Sequence, residues 1–145
     1  MKLSEISITY NRAVPLIRTA ITTSQLAYQT FLRSWDKGLI EYTEEFKVIY
    51  TNRANEPLGI YHLSKGGISA TLVDIKILMA IALKSAASGI LIAHNHPSGN
   101  LNPSSQDLAL TKKIKNACEM LDIKLLDHII LTANDYTSLA DSGHI

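Results

Sequence analysis

The chain has 145 residues, of which 46% are hydrophobic and 19% are charged, and its formal net charge is +1. This length and apolar content suffice for one domain with a proper core, and the charge provides no basic surface for direct nucleic-acid binding. No apolar run is long enough to span a membrane. Because the one cysteine excludes an internal disulfide and the N-terminus has no signal-peptide pattern, we expect a soluble cytoplasmic protein.

The N-terminal part of the chain predicts a strand followed by a helix. Residues 5–10 alternate between apolar and polar side chains, which indicates an edge strand or a strand exchanged with another copy. The polar run at residues 22–25 offers N-caps for a helix that extends to Trp35. We therefore expect an N-terminal extension over residues 1–22 and a single domain over residues 23–145. A homodimer is the expected consequence if the first strand is exchanged.

Residues 44–51 predict a strand that begins with two adjacent glutamates. On an extended strand Glu44 lies on the same face as Phe46, whereas Glu45 lies with Lys47 on a face that we expect to be solvated. The ordinary interpretation of such a pair is two charges at the edge of a strand. The turn that follows leads to a second strand over residues 58–63, which predicts a hairpin.

The second half of the chain alternates between predicted helices and strands. Residues 73–87 form a helix that is apolar on nearly all sides, which indicates burial between layers. A short apolar run at 89–93 predicts a buried strand, a helix follows over residues 104–121, and an apolar strand follows over 124–131. This order predicts an α/β (α+β) domain in which a mixed β-sheet is flanked by helices.

The end of the strand at 89–93 carries the residues of a candidate metal site. His94 and His96 are two residues apart, so their side chains point to the same side, while Asn95 points away. Asp107 lies one turn before the apolar stripe of the next helix, where a carboxylate is costly unless its charge is compensated. Two imidazoles, one carboxylate and an open fourth position describe a catalytic zinc site.

Structural interpretations of the same residues stay open. Ser104 and Asp107 have the spacing of a helix capping box, and Asn102 with Pro103 would also start the helix. On either interpretation the two histidines are loop residues, although a capping box is compatible with a metal site. His128 lines the cleft or orients a ligand, or it is a hydrogen-bonded structural histidine of its strand, which is the interpretation that we favour.

The arrangement His-x-His, seven residues, Ser, two residues, Asp resembles the JAMM motif of the JAB/MPN metalloproteases, and His94, His96, Ser104 and Asp107 supply it. The run Ala-His-Asn-His-Pro-Ser-Gly and the downstream Leu-Leu-Asp-His resemble the RadC branch of that superfamily. The resemblance extends from about Ser24 to the last residue. It implies a JAB/MPN fold, which is similar to that of cytidine deaminases, with zinc held by His94, His96, Asp107 and a water.

The resemblance also implies roles for the remaining residues. The catalytic glutamate of the RadC pattern stands two residues before a phenylalanine, which selects Glu44 over Glu45 as the base that moves a proton from water to the leaving amine. Ser104 lies near the developing oxyanion. The implied activity is zinc-dependent hydrolysis of an amide bond in an unknown peptide or isopeptide substrate.

Two other classes of function stay open. One is a RadC-type accessory protein of DNA repair or of a mobile element, and the other is a non-catalytic JAB/MPN interaction module. Longer RadC-like proteins carry an N-terminal helix-hairpin-helix region, for which we expect no room here, so a DNA role requires a partner. The complete ligand set disfavours a non-catalytic module. A nucleobase deaminase is excluded because its H-x-E and P-C-x-x-C signature is absent.

Overall fold

The structure is a computed structural model that describes residues 19–66 and 72–145. Its elements in chain order are α1 (Ser24–Leu32), β1 (Glu45–Thr51), β2 (Pro57–Lys65), α2 (Ile75–Lys84), β3 (Gly89–Asn95), α3 (Ser105–Glu119), β4 (Lys124–Leu131) and β5 (Tyr136–Ser138). The strand predicted at residues 5–10 lies outside the described residues, as does most of the predicted extension over 1–22. The division between extension and domain therefore stays a prediction.

The five strands form one mixed sheet in the order β2-β1-β3-β4-β5. β1 is antiparallel to both β2 and β3, and β5 is antiparallel to β4. β3 and β4 are parallel because α3 connects them as a crossover helix, which returns the chain to the end of the sheet at which β3 begins. The predicted hairpin and the predicted mixed sheet flanked by helices are both confirmed.

Helices cover both faces of the sheet, so the central strands β1 and β3 are buried along their whole length. On one face, apolar side chains such as Val48 and Ile92 pack with Leu78 of α2 and Ile114 of α3. On the other face, residues including Ile49, Leu91 and Ile129 pack with Phe31 of α1 and with Trp35 just after it. The domain therefore has three layers, with β3 at the centre of the middle layer.

The prediction that the second helix is buried between layers is wrong. α2 buries only one side, through Leu78, Met79 and Ala82, whereas Ile77 and Leu83 are 43% and 56% exposed. Its sequence is apolar all round, and the hydrophobic pattern alone does not show that α2 lies in an outer layer. Within the described ranges, no helix is long and apolar enough to cross a membrane.

Lys47 was expected on a solvated face, and this expectation is also wrong, because α1 and the turn after it cover that face. Its side chain is 1% exposed, and its Nζ donates to the carbonyl of Ser34 at 2.7 Å. The ammonium lies 3.2 Å from Oε2 of Glu45 and 4.1 Å from the centroid of the Trp35 ring. Burial lowers the pKa of Lys47, and the adjacent Glu45 carboxylate opposes that shift.

Replacing Lys47 by methionine is expected to lower the free energy of unfolding by about 2 kcal/mol, because it removes a charged hydrogen bond and one partner of a buried ion pair. Lys65, at 3.6 Å from Glu45, remains as a second partner of that carboxylate. Urea unfolding measures the effect. The double variant Glu45→Gln/Lys47→Met is the control, and it should recover part of the loss. A single Lys47→Met variant as stable as wild type would contradict the expectation.

Candidate metal centre

Three polar side chains converge at the end of β3 and the beginning of α3. The Nε2 atoms of His94 and His96 lie 2.9 Å apart. Oδ1 of Asp107 is 3.1 Å from Nε2 of His94, and Oδ2 is 3.6 Å from Nε2 of His96. Each residue offers a donor atom within 4.8 Å of the other two, so together they could hold one metal ion. The structure thus brings together the three predicted ligands.

The sheet fixes the position of His94. β1 and β3 pair in a register that sets Phe46 opposite His94, and the two rings stack with centroids 6.1 Å apart and planes 8° apart. His94 is 1% exposed, whereas His96, which lies beyond the strand, is half-buried. The chain then turns at Gly99, whose φ of +80° lies in the left-handed region that glycine favours.

The start of α3 fixes the position of Asp107. Ser104 is the N-cap of this helix, and its Oγ accepts a hydrogen bond from the backbone N–H of Asp107 at 3.1 Å. In return, Oδ2 of Asp107 accepts from the backbone N–H of Ser104 at 2.7 Å. The Ser104 hydroxyl also donates to the same Oδ2 at 2.7 Å. The predicted capping box is confirmed, and the alternative start at Asn102 and Pro103 is wrong. One oxygen of Asp107 is therefore held by the helix cap while the other faces His94.

The electrostatics of the cluster favour an ionised carboxylate. Burial raises the pKa of Asp107, but hydrogen bonds from His94, His96 and Ser104 together hold that pKa well below its usual range. The hydrogen bond to Asp107 raises the pKa of His96 against the effect of burial, with smaller contributions from the Asn100 carbonyl and the charge of Glu44. The site thus offers an ionised carboxylate beside two imidazoles, a set of groups that proteins use to bind zinc.

The second nitrogen of each histidine is also engaged. Nδ1 of His96 lies 2.5 Å from the carbonyl oxygen of Asn100, which can only accept, so this nitrogen carries a hydrogen. When His96 is neutral, its lone pair is therefore on Nε2. Nδ1 of His94 lies 2.8 Å from Nε2 of His128. Engagement of the second nitrogen orients an imidazole and sets its tautomer at metal sites.

His128 contacts one of the candidate ligands, a contact that the sequence did not predict. It is fully buried and bonded through both ring nitrogens, as the favoured structural interpretation expects, but one of those bonds reaches His94. Desolvation lowers the pKa of His128 well below its usual value, so the ring is neutral. The sequence offered one signal for this contact. His128 is a histidine in an apolar strand, and the helix between that strand and the strand of His94 predicts that the two strands are parallel.

The two glutamates are directed to different surroundings. Glu45 is buried on the α1 face, where its carboxylate contacts Lys47 and Lys65 at 3.2 and 3.6 Å. Glu44 is partly exposed, stands immediately before β1 and two residues from Phe46, and its charge acts on His96. Through its charge Glu44 therefore acts on a residue of the candidate centre, and the choice of Glu44 over Glu45 as the base stays a prediction.

Asn95 connects two segments of the site. The sequence indicated only that its side chain points away from the histidines. Its side chain is buried, its Oδ1 accepts from the backbone N–H of Glu45 at 2.7 Å, and its Nδ2 donates to the carbonyls of Ile40 and Thr43 at 2.7 and 2.9 Å. These three bonds tie the segment that carries Glu44 to the strand that carries His94. In the sequence, the signal for this contact was an asparagine at the end of a strand that is predicted to be buried.

Comparison with known proteins finds a matching family model and similar curated proteins. The family model described as RadC-like JAB domain matches residues 21–144. The UPF0758 protein of Flavobacterium johnsoniae is 48% identical over 100 residues, which cover 69% of this chain and 44% of that protein. The UPF0758 protein of Porphyromonas gingivalis is 38% identical over 130 residues, which cover 87% of this chain and 55% of the relative. The chain spans about half the length of the curated relatives that it matches.

Proposed function

The chain belongs to the family of RadC-like JAB domains, and from that premise we propose that it is a zinc-dependent hydrolase, a metallopeptidase or isopeptidase that cleaves an amide bond. The observation that carries the proposal is the convergence of His94, His96 and Asp107, with every donor atom within 4.8 Å of the others. The charge of Glu44, which acts on His96, supports its role as the base. The substrate class, a peptide or isopeptide, follows from the resemblance to the JAB/MPN metalloproteases.

The geometry of the three donor atoms fits a zinc ion. Tetrahedral zinc with nitrogen and oxygen ligands at about 2.0–2.1 Å separates its ligand atoms by about 3.3–3.4 Å. The two Nε2 atoms are 2.9 Å apart and Oδ1 of Asp107 is 3.1 Å from Nε2 of His94, and all three donor atoms lie within 4.8 Å of one another. Three protein ligands leave a fourth position for water or substrate, which is the arrangement of a catalytic site.

The proposed reaction adds water across an amide, breaks the C–N bond and yields a carboxylate and an amine. Bound zinc would lower the pKa of a water molecule and polarise the substrate carbonyl. Glu44 accepts the proton that the water loses and delivers it to the leaving amine. Ser104 donates a hydrogen bond to the oxyanion, for which its hydroxyl has to turn from Oδ2 of Asp107, where it now points at 2.7 Å.

The test of the proposal is the metal content of protein purified without chelators or a polyhistidine tag. Wild type is expected to hold close to one zinc per chain by inductively coupled plasma mass spectrometry, and His94→Ala to lose it, because one of three protein ligands is missing. His62→Ala is the matched control, since His62 is an exposed histidine of β2 outside the cluster, and it should keep the metal. Wild type that holds no metal after zinc is supplied would contradict the proposal and favour a non-catalytic interaction module.

A further inference from the structure

We propose that His128 and Thr111 are positioning residues that hold His94 in the tautomer that presents Nε2 to the metal. This inference rests on the proposed metal site and adds to it a defined set of supporting residues. Neither residue is among the three whose donor atoms converge. Both act through His94, by way of a chain of side-chain contacts that begins at one ligand and ends on the backbone of another, Asp107.

The chain consists of three short contacts in the interior between the sheet and α3. Nδ1 of His94 is 2.8 Å from Nε2 of His128, and Nδ1 of His128 is 2.6 Å from Oγ1 of Thr111. Oγ1 of Thr111 is 2.6 Å from the backbone carbonyl oxygen of Asp107, one helical turn earlier. His94 and Thr111 are each 1% exposed and His128 is fully buried, so water does not compete for these contacts.

Ligation by His94 determines the direction of every bond in this chain. A neutral imidazole that gives the Nε2 lone pair to a metal carries its one hydrogen on Nδ1, so His94 donates to His128. His128, also neutral, then accepts at Nε2 and carries its hydrogen on Nδ1, from which it donates to Thr111. The Thr111 hydroxyl is left to donate to the Asp107 carbonyl, which can only accept. All four groups are satisfied in this arrangement.

The opposite direction is incompatible with metal binding. If the Thr111 hydroxyl donates to His128, the single hydrogen of His128 moves to Nε2, and His94 has to accept at Nδ1. His94 then carries its hydrogen on Nε2, the atom that faces Oδ1 of Asp107 at 3.1 Å, and has no lone pair for a metal. The contact from the Thr111 hydroxyl to the Asp107 carbonyl, at 2.6 Å, therefore supports the metal-binding direction, which metal ligation by His94 requires.

Packing keeps the two rings from leaving this arrangement. Phe46 stacks on His94 and meets His128 edge to face, with ring centroids 5.8 Å apart. The parallel pairing of β3 and β4 sets His128 opposite Ile92, two residues before His94, and the centroids of the two histidine rings are 4.9 Å apart. His96 differs, because its Nδ1 partner is the carbonyl of Asn100 and no side-chain substitution removes it. The support of His94 can therefore be tested by mutation.

The test compares the zinc dissociation constants of paired variants. His128→Leu removes the acceptor, and its dissociation constant is expected to rise about 10–100-fold, the usual effect of losing the group that orients a metal ligand. His128→Gln restores part of the affinity, since its amide oxygen accepts from His94 and its amide N–H donates to Thr111. Thr111→Val is expected to weaken zinc binding, whereas Thr111→Ser is expected to keep it.

The matched control is Thr51→Val. Thr51 is also a fully buried threonine, but within the described part of the chain its hydroxyl has no hydrogen-bond partner, so zinc affinity should not change. Competition with a chromophoric chelator measures the dissociation constants, and the melting temperature of each metal-free variant reports on folding. In zinc-loaded wild type, two-bond ¹⁵N–¹H correlation spectra are expected to show His94 and His128 protonated at Nδ1.

Several results would overturn the inference. One is a folded His128→Leu variant that binds zinc as tightly as wild type, and another is a spectrum that shows His128 protonated at Nε2 in the loaded protein. If His128→Leu does not fold, equal zinc affinities of Thr111→Val and Thr111→Ser would overturn it instead. Wild type that binds no zinc would overturn the proposed function and this inference together. The results above, obtained with wild type that does bind zinc, would overturn this inference alone, so the two failures are distinguishable.

Discussion

Replacing Glu44 by glutamine is expected to slow amide hydrolysis by about 10²–10⁴-fold while zinc remains bound, because the amide has the shape of the carboxylate but cannot accept a proton. Glu44 is not among the three residues whose donor atoms converge, so its replacement leaves the ligands intact. The measurement is kcat/KM on fluorogenic peptide amides and lysine isopeptides, for whichever of them wild type cleaves, together with the zinc content of the same samples.

Glu45→Gln is the matched control for this prediction, because it makes the same chemical change one residue away. Glu45 is held by Lys47 and Lys65 on the opposite face of the sheet, so its replacement is expected to lower stability and to leave kcat/KM within a few-fold of wild type. Full activity in Glu44→Gln together with lost activity in Glu45→Gln would show that the base is Glu45.

Replacing Ser104 by alanine is expected to have two separable effects. Loss of a hydrogen-bond donor to the oxyanion lowers kcat by about 10²–10³-fold. Loss of the N-cap of α3 lowers the free energy of unfolding by about 1 kcal/mol. Both effects are expected because the Ser104 oxygen accepts from the Asp107 backbone N–H, while its hydrogen, now donated to Oδ2 of Asp107, would turn toward a substrate. Hydrolysis rates and urea unfolding of the same zinc-loaded samples measure them.

Two further substitutions separate the cap from the chemistry. Glycine at an N-cap costs only a few tenths of a kcal/mol, so Ser104→Gly is expected to keep most of the stability while kcat stays low. Ser104→Thr keeps the hydroxyl and is expected to recover both properties. A Ser104→Gly variant with the kcat of wild type would reduce the role of Ser104 to that of a helix cap.

Local chemistry accounts for the parts of the structure that could be predicted. The run of residues 89–93, bounded by Gly89 and Pro97, indicated the strand that carries His94, and the spacing of Ser104 and Asp107 indicated the capping box. These features depend on residues a few positions apart, whose side-chain directions follow from the period of a strand or a helix. For the same reason the sequence indicated that Glu45 shares a face with Lys47, as the structure shows.

The sequence by itself thus determined the order of the elements, the mixed sheet and the set of residues that converge on the candidate centre. Tertiary structure alone decided what covers each face: α1 buries Lys47, and α2 leaves Leu83 exposed. It also decided that His128 meets His94, since contacts between separate strands depend on strand order and register. The period of a sequence shows which side a residue faces, but the partner on that side is set by elements far away in the chain.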